Sequence, residues 1–386
     1  MKQEQIKMKI PFNKTTLIGN EIEYLKEVID SGYLHGDGPF THKCHKLLEE
    51  KFVTKKALLT PSCTLALEMS YILCNFQPGD EVIMPSFAFV SAASSLMIHG
   101  AKPIFVDIRE DTLNIDENKI EEAITPKTKA ILIVHYAGVS CEMDKIMEIA
   151  KKHNLFVIED AAQAVDSKYK GKFLGTIGDV GCFSFHGTKN VVCGEGGAIF
   201  INNPELIDRA EIVWEKGTNR KKFIRGEVDK YTWVDLGSSY VMADLLAAFL
   251  YYQLKNVDEI TNRRKEIYDY YYQNLAGLEK EGLIKLPTIP SECKSNYHLF
   301  YIILPSNEIR NETLKKLKEV GIQATFHFVP LHDSPMGQKL GYEKGNLPTT
   351  EKISSCLLRL PFYNSINRDE QDYIIKNLKE ILRSSH

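Results

Sequence analysis

Phe156-Val157-Ile158-Glu159-Asp160-Ala161-Ala162-Gln163 begins as a short apolar run, closes on two acids and continues into small residues. Phe156–Glu159 is too short for a free-standing helix and suits a strand covered on both faces by helices. Working outward, the same texture recurs at Ala57–Thr60, at Glu81–Met84 after the turn Pro78-Gly79-Asp80, at Ile104–Asp107 and at Ala130–Val134. Amphipathic helical segments separate these runs from about residue 20 to about residue 215. The first is Glu21 to Ile29, with Ile22, Leu25, Val28 and Ile29 on one face and Gly32 as its stop. Strands alternating with helices predict an α/β fold with a mixed, mostly parallel sheet flanked by helices.

The texture changes near Met242. Residues Ala243 to Leu275 keep helical periodicity and carry the cluster Tyr268, Tyr270, Tyr271 and Tyr272. A β-like run at His298–Leu304, a helix at Asn311–Val320, a strand at Gln323–Val329 and a closing helix near Glu370–Leu382 follow. These predict a smaller C-terminal α+β domain, with the chain divided into 1–255 and 256–386. The 386 residues, 44% hydrophobic and 26% charged, exceed what one compact core usually holds.

The formal net charge of −3 argues against a nucleic-acid binder. Eight scattered cysteines without a Cys-x-x-Cys pair suit reduced thiols, and no metal-ligand spacing is seen. Met1 to Lys9 is charged and lacks an apolar signal core, and no apolar run reaches the roughly 20 residues of a membrane helix. The expectation is a soluble, cytoplasmic protein with no membrane or nucleic-acid partner.

In an open α/β sheet, ligands bind where strands end and loops converge. Pro61-Ser62-Cys63-Thr64 follows one strand and opens a helix, so its amides and hydroxyls can take an anion; the alternative is a plain helix cap. Pro85-Ser86-Phe87-Ala88-Phe89 follows another strand, and an aromatic there can lie on a ring or simply pack the core. Asp160 at a strand tip can keep a pyridine nitrogen protonated and so make the ring an electron sink, or it can cap a helix. Phe183-Ser184-Phe185-His186-Gly187-Thr188-Lys189-Asn190 precedes Gly194-Glu195-Gly196-Gly197. Lys189 is placed to be a partly desolvated amine for Schiff-base chemistry. Ser184 is placed to donate to the same anion as Thr64, and the glycines allow positive φ or close packing. Singly these signals are weak; in this order they make an inventory for one cofactor, pyridoxal 5′-phosphate.

The residues resemble the fold-type I aminotransferases of the DegT and StrS group, which act on nucleotide-linked sugars. The resemblance runs from Gly36-Asp37-Gly38-Pro39-Phe40 through the Asp160 and Ser184 motifs to His327-Phe328-Val329-Pro330-Leu331-His332 and Leu360-Pro361-Phe362. Leu59-Thr60-Pro61-Ser62-Cys63-Thr64, Val134-His135-Tyr136-Ala137-Gly138, Lys216-Gly217-Thr218-Asn219-Arg220 and Val228-Asp229-Lys230-Tyr231-Thr232-Trp233 resemble the sub-family that makes dTDP-4-amino-4,6-dideoxygalactose for enterobacterial common antigen. The resemblance implies that Lys189 holds the cofactor covalently, Asp160 pairs with its pyridine nitrogen, Gln163 meets its ring hydroxyl and Phe89 stacks on it. Cys63, Thr64 and Ser184 hold the phosphate. It also implies a homodimer with sites at the interface, where Ser239 stands in place of an asparagine that many members reach across with.

From the same resemblance, the reaction is transamination with L-glutamate as donor and dTDP-4-keto-6-deoxyglucose as the sugar. On their own residues, Gly36, Asp37, His186, Arg220 and His327 are candidates to face the sugar nucleotide, against satisfied structural histidines; Arg220 and Arg225, in a polar insertion, are candidates for the pyrophosphate or the donor carboxylate, against solvated loop charges. The alternatives are a 3-keto or UDP-linked substrate, a dehydratase that carries histidine in place of the lysine, and an inactive regulatory relative.

Overall fold

Seven short apolar runs pair into one sheet in the computed structural model, which describes residues 8–384. Most of the charged stretch Met1–Lys9 therefore lies outside the described residues. The strands are β1 (Lys56–Thr60), β2 (Glu81–Pro85), β3 (Lys102–Val106), β4 (Thr128–Val134), β5 (Phe156–Asp160), β6 (Val180–Ser184) and β7 (Gly197–Ile201). Their order across the sheet is β1-β7-β6-β5-β4-β2-β3. Only β7 runs against its neighbours, β1 and β6, and every other pairing is parallel. The sheet is thus mixed and mostly parallel, as the alternation of elements predicts.

Strand geometry sends successive side chains to opposite faces, and each face has its own core. Ile131 and Ile133 of β4 join the core completed by the helices Pro39–Phe52, Met143–His153 and Asp244–Lys255. Ala130, Leu132 and Val134 join the one completed by Cys63–Leu73, Val90–Ile98 and Ile207–Trp214. Burial on both sides is why β4 reads as a continuous apolar run rather than an alternating one.

The first helix spans Glu21–Ser31 and stops at Gly32, whose φ is 71°. Its inward face differs from the expected one. Ile22 and Ile29 are exposed, whereas Glu21 and Val28 are buried. At 100° per residue Glu21 and Val28 lie close together, with Ile22 and Ile29 about a quarter-turn away. Burial of Glu21 is offset by the amides of Ile18 and Gly19, at 2.8 and 3.0 Å, and by Gln253 at 2.7 Å.

The long helical stretch is two helices, Asp244–Lys255 and Val257–Lys280, broken at Asn256 (φ −111°, ψ 20°). The second presents Tyr268 and Tyr271 to a third core, together with Phe300, Leu317 and Leu378. That core lies under β8 (Tyr301–Ile303), β9 (Leu357–Arg359) and the helices Asn307–Glu319 and Arg368–Ser384. Ile10 also packs into it, so the described start of the chain is stitched to its end.

The expected strand at Gln323–Val329 does not form. Its place is taken by single bridges, Ile10 to Ile322 and Thr325 to Arg359. β9 is only three residues long, and its edge away from β8 meets this segment in the single pair Thr325 and Arg359. Beyond Thr325 the chain turns to the sheet, and Leu331 donates to the Ser86 carbonyl.

Candidate active site

Glu159 and Asp160 are neighbours on β5 and therefore point to opposite sides. Glu159 is fully buried and accepts from Gly175, Ile177 and Gly178 amides at 2.6–2.7 Å and from His135 Nε2 at 2.9 Å. Its oxygens are spent on structure. Asp160 lines a cavity of about 460 Å³ and takes one bond, from the Ala162 amide at 3.0 Å. Burial raises its carboxyl above the usual range, while that amide, Lys189 and His135 pull it down.

The strand register assembles the rest of the cavity wall. Thr60 and Ser184 both lie opposite Gly197, and Asp160 lies opposite Cys182, so the ends of β1, β6 and β5 converge. Ser62 caps the helix Cys63–Leu73, its Oγ accepting from the Leu65 amide at 3.2 Å. The cap is therefore Ser62. Cys63 and Thr64 occupy the first helical positions, where amides have no partner within the helix. Both line the cavity with Ser184.

The glycine run serves two ends. Gly194 has φ 90° with open space around it and is a turn glycine. A Cβ on Gly197 would stand 2.5 Å from the Ser62 carbonyl carbon and 2.6 Å from the Cys63 nitrogen. Bare backbone at Gly197 thus lets β7 touch the helix start.

Lys189 sits in the turn after β6, its amide donating to the His186 carbonyl at 2.9 Å. Its side chain lines the cavity, and desolvation lowers its ammonium below the usual lysine range; Cys63 and Asp160 oppose that, and Arg359 adds to it. Gln163 Oε1 accepts from the Ala137 amide at 2.8 Å, which fixes the carboxamide and leaves its Nε2 hydrogens as donors. Phe89, at the start of the helix Val90–Ile98, is 60% exposed. His186 and His327 also line the cavity, His186 with its Nδ1 2.8 Å from the Thr188 hydroxyl.

Four expected site residues stand elsewhere, together. Asp37 pairs with Arg220 at 3.0 Å and Lys221 at 2.5 Å, and Arg220 also reaches Glu215 at 2.9 Å. Glu215 bridges to the exposed Ser239, and Gly36 abuts Val241 and Met242. Arg225 is held by Glu211 and Glu227. Exposed Trp233 and Leu236 lie in the same segment.

Sequence reading missed four groups in or beside the cavity: Arg359, Tyr136, Asn190 and His298. Arg359 donates to His327 Nε2 at 2.6 Å, which leaves the His327 Nδ1–H to donate to the Tyr136 hydroxyl at 3.2 Å. Burial, helped by the Arg359 and Lys189 charges, pushes His327 down to about 2, and burial alone lowers Arg359 to about 10 against the opposing Tyr136. Asn190 donates to the Asn296 carbonyl and accepts from His298 Nδ1 at 2.8 Å, so the neutral His298 carries its lone pair on Nε2. Tyr136 lies within the motif Val134–Gly138 and Arg359 directly precedes Leu360-Pro361-Phe362, but no local spacing marks either as a cavity group.

Ser86, His332 and Glu351 form a relay of another kind. Ser86 Oγ lies 2.7 Å from His332 Nδ1, and His332 Nε2 lies 3.0 Å from Glu351. The serine also accepts from the His332 amide at 3.0 Å, and both residues are fully buried. The trio is a clamp that fixes the Phe89 and His327 loops against each other.

One amine, one carboxyl at a strand tip, unpaired helix-start amides, two hydroxyls and an uncovered phenyl ring fit a phosphorylated pyridine aldehyde. This fold and donor set define a pyridoxal-phosphate aminotransferase of fold type I. More narrowly, the chain belongs to the DegT/DnrJ/EryC1/StrS aminotransferase family, whose model matches residues 16–379. It is 35% identical to the spore coat polysaccharide biosynthesis protein SpsC of Bacillus subtilis, over 97% of this chain and 98% of that one. It is 33% identical to a GDP-perosamine synthase of Escherichia coli O157:H7, over 96% and 98%. The putative sugar aminotransferase Spr1654 of Streptococcus pneumoniae, in its PLP form, superposes with a TM-score of 0.90 at 28% identity, covering 98% of this chain and 99% of that one. The cofactor is pyridoxal 5′-phosphate, and the activity is transamination of a keto sugar. Among the described residues no helix is long and apolar enough to cross a membrane.

Proposed function

We propose that the protein transfers the amino group of L-glutamate to the keto carbon of a nucleotide-linked 4-keto-6-deoxy sugar for a cell-surface polysaccharide. The observation that carries this reading is the meeting of Lys189, Asp160 and the Cys63–Thr64 helix start on one cavity wall. The bound cofactor supplies an electron sink for the carbanion formed at the donor's α-carbon.

The chain's own groups do the rest. Lys189 holds the cofactor and, once displaced by the donor, moves the proton as general base and then acid; its lowered ammonium pKa keeps the amine available. Asp160 keeps the ring nitrogen protonated, and the cation offsets the cost of burying that carboxylate. Thr64, Ser184 and the helix-start amides bind the phosphate, Gln163 Nε2 donates to the ring oxygen and Phe89 covers one ring face.

The Gly36, Asp37, Arg220 and Ser239 patch, set apart from this cavity, completes the cavity of a second copy in a homodimer. Exposed Trp233 and Leu236 beside it support such a covering partner. We also read 1–255 as the cofactor-binding unit and 256–386 as the smaller one. The sub-family motifs favour dTDP-4-keto-6-deoxyglucose, giving dTDP-4-amino-4,6-dideoxygalactose. The likeness to a GDP-perosamine synthase makes a GDP-linked keto sugar the second candidate.

Borohydride reduction of cofactor-loaded protein followed by peptide mapping tests the core of this reading. The label is expected on Lys189, and Lys189→Ala is expected to lose both the yellow colour and turnover. A label on any other lysine overturns it. Product analysis by mass spectrometry and NMR over dTDP-, GDP- and UDP-linked keto sugars fixes the substrate.

A further inference from the structure

An amine that works as a base inside a cavity spends its lone pair on the proton it takes, so its own N–H bonds need acceptors. His298 lines the same cavity as Lys189 and is buried. Asn190, the residue after Lys189, sets its tautomer. Asn190 Nδ2 donates to the Asn296 carbonyl at 2.9 Å, so its Oδ1 is the atom 2.8 Å from His298 Nδ1 and receives a hydrogen from it. The His298 lone pair is therefore on Nε2, and among the described residues no hydrogen bond of the chain uses it. The other two cavity histidines are engaged. Arg359, whose guanidinium lies 4.6 Å from the Phe12 ring centroid, donates to His327 Nε2 at 2.6 Å. His186 has Nδ1 against the Thr188 hydroxyl and Nε2 3.5 Å from Glu195.

The His298 ring is also fixed from behind. Arg264 donates from Nε to the Tyr297 carbonyl at 2.9 Å and from Nη2 to the His298 carbonyl, and its guanidinium lies 4.7 Å from the Phe362 ring centroid. Tyr297 has φ 54°, a left-handed conformation that a tyrosine keeps only where its surroundings hold it. Asn296 Nδ2 donates to the Gln163 and Val165 carbonyls at 2.9 and 2.8 Å. Residues 296–298 are thus fastened to the loop behind Asp160 and, through Asn190, to the neighbour of Lys189. Burial, with the charges of Lys189 and Arg264, holds the imidazole well below the usual histidine range and so keeps it neutral.

We propose that His298 is a positioning residue for Lys189: its Nε2 accepts a hydrogen from the lysine amine once that amine is free of the cofactor. The inference rests on the aminotransferase reading and names a residue that acts through the base, not on the donor. The freed amine has two N–H bonds and one lone pair, and the lone pair must face the donor's α-hydrogen. Holding one N–H fixes where the lone pair points. A carboxylate in this place would hold the amine as an ammonium and stop it acting as a base, whereas a neutral imidazole orients it without trapping the proton. Asn190 ties the acceptor to the lysine loop, and the Lys189 charge is felt at the His298 ring.

The test compares wild type with His298→Asn, which keeps a donor at the Nδ1 place and removes the acceptor, and His298→Gln, which keeps an acceptor at the Nε2 place. In apo-protein the Lys189 amine is already free, and trace acetylation mapped to Lys189 across pH reads its titration. A hydrogen bond to the imidazole favours the ammonium, so in His298→Asn the midpoint falls and labelling below it rises about 10-fold, the scale of one neutral hydrogen bond, while His298→Gln follows wild type. Loaded with pyridoxal phosphate, wild type must turn yellow and bleach with L-glutamate; if it does not, the aminotransferase reading fails and not the positioning role. His298→Asn keeps the colour, bleaches about 10-fold more slowly and shows a larger isotope effect with α-deuterated glutamate. In Lys189→Ala, bleaching driven by added methylamine is the same with and without His298→Asn. An unmoved acetylation midpoint overturns the proposal, as do equal losses in the Asn and Gln variants. A loss that persists in the methylamine-driven reaction also overturns it and assigns His298 to the substrate or to folding. Should the Asn variant fail to fold, NMR of apo-protein carrying nitrogen-labelled histidine decides: the His298 Nε2 resonance shifts between wild type and Lys189→Ala, and an unshifted resonance overturns the bond.

Discussion

Replacing Gly197 by alanine tests how the cofactor cradle is built. The added Cβ would lie 2.5 Å from the Ser62 carbonyl carbon and 2.7 Å from its oxygen, whereas ordinary contact begins at 3.4 Å. About 0.9 Å must therefore be yielded, and by backbone on both sides, because no flexible side chain can step aside. β7 is held by β1 and β6 across its whole length, so the helix start at Cys63 is the freer partner. Overpacking of this kind costs about 1–3 kcal/mol of stability. A shift approaching 1 Å also lengthens the bonds from the Cys63 and Thr64 amides to the phosphate. Losing one charge-assisted bond of about 1.5–3 kcal/mol raises a dissociation constant roughly 10- to 100-fold. The assay is titration of apo-protein with pyridoxal phosphate, followed by visible absorbance and paired with a thermal melt. A dissociation constant within about twofold of wild type, with an unchanged melting temperature, would refute a cradle built on this contact.

Asp160→Asn should raise the melting temperature of the apo-protein at pH 7. The folded carboxyl sits above its ordinary 3.8, so the cost of its charge appears as pH rises through the folded value, and the gain should fade toward pH 3.8. With cofactor bound the order should reverse, and turnover should fall severely. His327→Gln should make the protein more acid-resistant. A histidine held near 2 against an ordinary 6.5 loses stability as pH falls below 6.5, by about 1.4 kcal/mol per pH unit at most, and melts at pH 7 and 5.5 measure the difference. Ser86→Ala should lower stability by about 1–3 kcal/mol, read by urea unfolding, because it leaves the buried His332 Nδ1 and amide without their partner. A serine-directed fluorophosphonate should leave Ser86 unlabelled, and labelling would show that the clamp opens.

Periodicity and punctuation alone determined the elements: strands at the apolar runs, helices between them, and the ends where Asp160, Ser184 and Lys189 fall. Those features are local, since a strand tip is marked by its own neighbours. The choice of Asp160 over Glu159 follows from the two-residue repeat only once the strand's surroundings are known, since either acid can face the ligand on sequence grounds. Tertiary structure also decided which face of the first helix turns inward, because Glu21 is met by Gln253 from the far end of the large unit as well as by the neighbouring Ile18 and Gly19 amides. It decided that Gln323–Val329 has no ladder to join, and that Ser86, His332 and Glu351 lock two loops together. Above all it brought Arg359 into the cavity. A lone arginine before Leu360-Pro361 looks like any surface cation, and only long-range packing shows that its neighbours are a phenyl ring and a neutral imidazole instead of water and an acid.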